Sequence, residues 1–224
     1  MLGWYYGCES FHATCYGDLV GTFSDWRFFD RRRNSLYKRT MRTIFYVVRH
    51  GQTLFNVKGI IQGFSDSPLT QEGLEQAQKM AERLKAEDFC FGASSTSERA
   101  RDTLLTIVQD RFPVAFYKDL KEIGFGNLEG DSITKLLDTK RTDWTEFGGE
   151  TFSQAASRME KRLVALSEKA PNQKVLVVSH GSVIREVLHD LDASYYDVMS
   201  NCSMCKIACE DGKLSLLSLP EVLI

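Results

Sequence analysis

Arg49-His50-Gly51 ends a run of β-branched and aromatic residues, Thr43-Ile44-Phe45-Tyr46-Val47-Val48. Ser179-His180-Gly181 ends a second such run, Lys174-Val175-Leu176-Val177-Val178. A neutral imidazole is a nucleophile near pH 7, and a guanidinium offers a fork of N–H donors that matches phosphate. Phosphoryl transfer asks for fixed positive donors around the equatorial oxygens and a nucleophile in line with the leaving oxygen. Two parallel strands that both end in His-Gly bring both imidazoles to one sheet edge. Open α/β sheets keep their sites there, outside the carboxyl ends of the strands. A third element, Ser94-Ser95-Thr96-Ser97-Glu98-Arg99-Ala100-Arg101-Asp102-Thr103, follows a strand and opens a helix. Helix N-termini bind anions, and a cation in the first turn opposes the helix dipole unless an anion compensates it. A bound phosphate or an ion pair with a nearby Asp or Glu would each answer that need, and Arg101 competes with Arg99 for the role.

The elements that must hold these groups follow as alternating patterns. Residues 50–69 read as a loop, with turn chemistry in Gly59, Gly63 and Asp66-Ser67-Pro68. Thr70 reads as the N-cap of a helix to about residue 85, with Leu74, Ala77, Ala81 and Leu84 on one face. Residues 89–93 predict a short buried strand, and 97–110 a helix with Ala100, Leu104, Ile107 and Val108 inward. Residues 114–117 predict a strand. Loops and a short helix near 133–137 fill 118–150. A strongly amphipathic helix over 151–169 places Phe152, Ala155, Met159, Leu163 and Leu166 on one stripe. A strand over 174–178, a helix over 182–191 and a hairpin of 203–209 with 213–219 about Asp211-Gly212 complete the chain. The expected fold is α/β, a three-layer α/β/α sandwich with a mostly parallel sheet and one antiparallel edge.

Composition limits the partners. The 224 residues are 43% hydrophobic, enough for one sizeable core. A net charge of −2 gives no basic footprint, so neither nucleic acid nor an anionic membrane is an expected partner. No stretch approaches the roughly 20 apolar residues of a membrane helix. Six cysteines without an export signal point to reduced thiols and a cytoplasmic location. Cys202, Cys205 and Cys209 lack the second Cys/His pair a zinc site needs. On a strand the odd separation of Cys202 and Cys205 sends them to opposite faces, so packing is their expected role. His12, His50, His180 and His189 show no metal-ligand spacing, and neither metal nor cofactor is expected.

Residues 1–40 differ from the rest. Aromatic residues and glycines precede Arg31-Arg32-Arg33 and Lys38-Arg39, the reverse of a signal peptide's order. A basic aromatic tail is one way to bind RNA or phosphate. The expectation is instead an N-terminal extension, poorly ordered or outside the native protein, with the working domain over 41–224 and translation starting naturally at Met41.

The motifs together resemble the histidine phosphatase superfamily, the phosphoglycerate mutase-like family. Val48-Arg49-His50-Gly51-Gln52-Thr53, with Asn56 and Gln62-Gly63, resembles its phosphate loop. Residues 95–103 resemble its S-x-x-x-R-A-x-x-T element, although Ser97 stands where the family often has an apolar residue. Leu120-Lys121-Glu122-Ile123-Gly124-Phe125-Gly126-Asn127-Leu128-Glu129-Gly130 resembles its L-x-E-x-x-x-G-x-x-E-G segment. Gly148-Gly149-Glu150-Thr151 and Val178-Ser179-His180-Gly181 follow in the family's order. The likeness covers 43 to about 219 and implies a phosphoglycerate mutase-like fold. It implies that His50 becomes phosphohistidine and that Arg49, Arg99 and His180 cradle the phosphoryl group. Glu122 would be acid and then base, and Asn56, Gln62, Gly63 and Gly181 would line the pocket. Glu129 is expected to be structural; Arg185 and Glu186 are either supporting contacts or a solvated helix face.

The same pocket can pass the phosphoryl group to water or back to a sugar acid. Cofactor-dependent mutases of the family carry a longer insertion with paired arginines, whereas residues 131–147 here hold only Lys135, Lys140 and Arg141 as cations. The expected function is therefore metal-independent hydrolysis of a small phosphorylated metabolite. A 2,3-bisphosphoglycerate-dependent mutase and a non-catalytic phosphate-binding regulatory domain are the alternatives. Phe55, Ile60, Ile61, Phe64, Phe125, Trp144 and Phe147 are the candidate apolar walls, suited to a nucleoside or aromatic alcohol or else simple packing.

Overall fold

A computed structural model of the chain describes residues 41–137, 141–197 and 199–222. The expectations for residues 1–40 and for Lys140 lie outside them. Strands β1 (Arg42–Arg49), β2 (Phe91–Ser95), β3 (Val114–Tyr117), β4 (Lys174–Ser179), β5 (Met204–Glu210) and β6 (Lys213–Glu221) form one sheet in the order β3-β2-β4-β1-β5-β6. The first four of that order run parallel, and β5 and β6 add an antiparallel edge. The turn between β5 and β6 places Asp211 and Gly212 at φ +50° and +78°, the left-handed pair a tight hairpin requires.

Alternation along β1 builds the layers. Tyr46 and Val48 face α2 (Gln71–Arg83) and α3 (Glu98–Val108), packing on Ala77, Met80, Leu84, Ala100, Leu104, Ile107 and Val108. Phe45 and Val47 face the other way, onto Ala155, Met159, Leu163 and Leu166 of α5 (Phe152–Lys169) and Val183, Ile184, Val187 and Leu188 of α6 (Gly181–Leu191). The protein is an α/β/α sandwich. Each such aliphatic side chain taken fully from water contributes roughly 1.5–3 kcal/mol, so both layers hold the central strands rigidly. Cys202 lies in one core and Cys205 and Cys209 in the other. Burial pushes the Cys202 and Cys205 thiols up to about 12, as inert packing groups.

Two elements differ from the sequence reading. β2 starts two residues later than the apolar run and continues through Ser94 and Ser95, both fully buried. Their hydroxyls are hydrogen-bonded, to the Ser95 carbonyl and to His180, which offsets the cost of burying them. Phe89 stays buried before the strand, edge-on to Tyr46 at 5.1 Å. Inside the expected 50–69 loop lies α1 (Leu54–Lys58), started by a Thr53–Asn56 capping box and closed by Gly59 at φ +61°. It buries no residue and has no apolar period to betray it. The predicted short helix is α4 (Thr134–Leu137). Among the described residues no helix is long and apolar enough to cross a membrane.

Candidate active site

β1 and β4 pair so that Arg49 stands beside Ser179, and the next residues, His50 and His180, leave the sheet together. Their rings lie 5.2 Å apart, edge to face. The backbone N–H of His50 donates to the Ser179 carbonyl, and Asn201 Nδ2 donates to the His50 carbonyl. Gly51 donates to the Thr103 hydroxyl of α3. Gly51 also touches Gly73 backbone to backbone: a Cβ on Gly51 would stand 2.5 Å from the Gly73 carbonyl oxygen. The imidazole is thus anchored from β4, α2 and α3 at once.

The tautomers follow from the partners. His50 Nδ1 lies 2.7 Å from the Gly51 carbonyl, which can only accept, so Nδ1 carries the proton and Nε2 the lone pair. Burial, then Arg99 and Arg49, hold the His50 pKa well below 6.5. The ring is therefore neutral at pH 7, with a free lone pair on a residue only 3% exposed. His180 is fully buried, and its pKa is likewise well below 6.5 through burial and then Arg99. Its Nε2 lies 2.6 Å from Ser95 Oγ, which itself accepts from Ser97 N–H. The arrangement that pairs all three groups sends the serine proton to Nε2 and leaves the His180 proton on Nδ1, which has no partner.

The arginines are held but incompletely used. Arg99, fully buried at the start of α3, donates to the Gly63 and Ser65 carbonyls and to Asp66 Oδ1 at 2.8 Å. Asp66 is the anion that compensates this cation, and its other oxygen accepts from the Glu98 N–H at the helix start. Arg49 donates to the Met199 carbonyl and lies against Gly181, where a Cβ would stand 3.1 Å from Arg49 Nε. Both Nε–H groups are buried without a partner. Among the described residues six buried side-chain polar atoms lack a partner, and Arg49 Nε, Arg99 Nε, His180 Nδ1 and Gln62 Oε1 are four of them. Unpaired buried donors are costly. Three of them, on Arg49, Arg99 and His180, neighbour the His50 imidazole and are candidate donors to an oxyanion.

Glu122 closes the other side. Its carboxylate, 8% exposed, accepts from the backbone N–H of Ile123, Ser182 and Val183. It thereby caps α6, whose own N-cap residue His180 makes no side-chain cap. Arg158 holds the segment from below, donating to the Asp119, Lys121 and Glu122 carbonyls and pairing with Glu150. Glu150 in turn accepts from Gly124 N–H. Glu129 accepts from Phe64, Ser65 and Phe125 N–H and fills the space a Cβ on Gly63 would need, a structural clasp as expected.

A cavity of about 280 Å³ gathers Arg49, His50, Asn56, Gln62, Gly63, Arg99, Glu122 and Gly181 on its walls. His180 is not on the wall and sits behind His50. Asn56 Oδ1 is taken by Thr53 N–H and Asn201, and Gln62 Nε2 by the Thr53 hydroxyl. Phe55, Ile60, Ile61 and Phe125 are the apolar walls. Phe64 lies outside under Lys121, and Trp144 and Phe147 pack near Arg141. Arg185 is no solvated face: it reaches this cavity, pairs with Glu186 and covers Phe152. Arg101 is exposed over Phe116, away from the site. Asp66, Ser95, Thr103 and Glu150 stood in the sequence motifs without a role and Asn201 and Arg158 were not named, since the contacts that give them one, to Arg99, His180, Gly51, Gly124, His50 and the 119–122 carbonyls, join distant parts of the chain. Among the described residues no group of three His, Cys, Asp or Glu side chains could hold a metal ion.

The family model described as the histidine phosphatase superfamily (branch 1) matches residues 45–221. A metal-independent phosphoserine phosphatase of Arabidopsis thaliana is 33% identical over 195 residues, covering 80% of this chain and 82% of that one. An adenosylcobalamin/α-ribazole phosphatase of Escherichia coli is 33% identical over 150 residues, covering 62% and 74%. A crystal structure of phosphoglycerate mutase from Bacillus anthracis superposes with a TM-score of 0.73 at 28% identity, covering 80% and 93%.

Proposed function

Since the chain belongs to the histidine phosphatase superfamily (branch 1), we propose that it is a metal-independent phosphatase that hydrolyses a small phosphomonoester through a phosphohistidine on His50. The observation that carries this reading is the set of buried, unpaired donors around a neutral imidazole whose Nε2 is free. Nε2 attacks phosphorus in line with the ester oxygen. The P–O bond breaks, the P–N bond forms, and Glu122, entering this step as the neutral acid, delivers its proton to the departing alkoxide. The Arg49 and Arg99 guanidiniums on the cavity wall receive the charge on the equatorial oxygens, with His180 Nδ1–H as a third donor from behind that wall. Gln62, Asn56, Gly63 and Gly181 shape the wall. Water then attacks the phosphohistidine while Glu122 takes its proton, inorganic phosphate leaves, and His50 returns neutral.

A mutase must hold a second anionic group while excluding water. Among the described residues the nearby cations are already engaged: Lys135 with Asp131, Arg141 with Glu146 and Arg185 with Glu186. That favours hydrolysis over transfer to a sugar acid. The location consistent with this chemistry is the cytoplasm, where the described cysteines Cys90, Cys202, Cys205 and Cys209 stay free thiols. The test is phosphate release from a panel of phosphomonoesters in EDTA, with 3-phosphoglycerate isomerisation followed beside it in 2,3-bisphosphoglycerate. Release in EDTA that His50→Ala abolishes is the expected result. Isomerisation without release would replace the hydrolase reading with the mutase.

A further inference from the structure

Beside the phosphate cavity lies a second cleft of about 590 Å³, and the two share Phe125, Ile133, Leu136, Ser182 and Arg185. We propose that this cleft is the leaving-group subsite, and that it takes an alcohol bearing a flat, uncharged heteroaromatic ring, of the nucleoside kind. The inference rests on the phosphatase reading and adds the substrate class. Its lining is dominated by rings: Phe125, Trp144, Phe152, His189, Tyr195 and Tyr196. His189 and Tyr196 meet at the cleft with ring centroids 4.6 Å apart and planes tilted by 45°, and Tyr196 is 69% exposed. A compact three-carbon acid leaves such a surface unused, whereas a planar ring can lie against it.

The charges argue the same way. Arg141 is bound to Glu146 and lies over Trp144 and Phe147. Arg185 is bound to Glu186 and lies over Phe152. Each cation on this wall already has its carboxylate, so a second anionic group would have to compete with Glu146 or Glu186 for it. One buried polar group beside the cleft has no partner. Trp144 is only 3% exposed, lines the cleft, and its indole N–H has no partner. An unpaired buried donor is a cost that a ring nitrogen or carbonyl oxygen would remove. The joined cavities fall within the roughly 300–1,000 Å³ of small-molecule sites.

The experiment compares adenosine and cytidine 5′-monophosphates with O-phosphoserine and 3-phosphoglycerate, by kcat/KM in the native chain and by calorimetric binding in His50→Ala. Para-nitrophenyl phosphate reports on the phosphate cavity independently. We expect the nucleotides to be favoured by at least about tenfold. Tyr196→Ala and Trp144→Phe should each lower the nucleotide-to-phosphoserine ratio by roughly fivefold or more. Preference for the compact acids, or a ratio unmoved by both variants, overturns the proposal. Nucleotide binding that prefers the ring and depends on Tyr196, with no phosphate released from any ester, keeps the subsite and overturns the phosphatase reading instead.

Discussion

The two strand ends read alike in sequence and are built for different work. After β1, His50 is tied by Nδ1 to its neighbour's carbonyl, so the free atom is an acceptor lone pair on the cavity wall. After β4, His180 is tied by Nε2 to Ser95, so the free atom is a donor held behind that wall. The glycines differ as well. Gly51 lets backbone meet backbone at Gly73, whereas Gly181 lets the Arg49 side chain lie across the start of α6. In the proposed mechanism one His-Gly pair sets a nucleophile and the other sets a donor and a helix end. An imidazole's role is thus chosen by which nitrogen the surrounding backbone and hydroxyls occupy.

That contrast predicts unequal losses. His50→Ala should reduce turnover by about 10⁴-fold or more and abolish the acid-labile phosphoenzyme. His180→Ala should cost roughly 10²–10³-fold and still form that phosphoenzyme, slowly, in a rapid-quench labelling experiment. Equal losses with no phosphoenzyme in either would undo the assignment. Glu122→Gln should slow alkyl esters by about 10²-fold. With p-nitrophenyl phosphate, whose leaving group needs no proton, it should show a near-normal burst of p-nitrophenol and then slow turnover.

The glycines separate fold from chemistry. Gly51→Ala should cost about 1–3 kcal/mol, since the methyl meets backbone, and calorimetry would read it as a lowered Tm. Gly181→Ala meets only the Arg49 side chain, and should hold Tm while lowering kcat/KM by roughly tenfold. A gentler effect comes from pH. Both imidazoles have folded pKa values well below 6.5 through burial and the neighbouring arginines. Below about 6.5 the unfolded chain takes up protons on them that the folded chain refuses. Stability is therefore full above that pH and falls as pH drops toward the folded values, by up to about 1.4 kcal/mol per unit for each ring. His180→Asn should flatten the fall in Tm between pH 7.5 and 5.5. The smallest effect is expected at Arg101, where alanine should leave kcat/KM within about twofold, against a loss above about 10²-fold for Arg99→Ala.

Most of the fold was legible because periodicity and burial agree. The inward stripe of α3, Ala100, Leu104, Ile107 and Val108, lies in the core as its spacing requires. The hairpin at Asp211-Gly212 forms where left-handed residues stand. α1 was not legible because one turn with no buried face carries no period, and β2 was misplaced because its last two residues are serines whose burial depends on partners in other elements. In the site, Arg49, His50, Arg99 and Glu122 were named from the chain and line one cavity. Arg185 was not assigned to it, since a cation on a helix face gives no sign of what lies opposite.

Local pattern therefore determined the residue types, the alternation of strands and helices, and the arrival of two imidazoles at one sheet edge. Which nitrogen of each imidazole is free, that Asp66 balances Arg99, and that Glu122 caps a helix sixty residues away were decided only by the tertiary structure. Propensity and period are properties of neighbours in sequence. A tautomer, an unpaired donor or a closed ion pair depends on which distant groups the folded chain brings within about 3 Å.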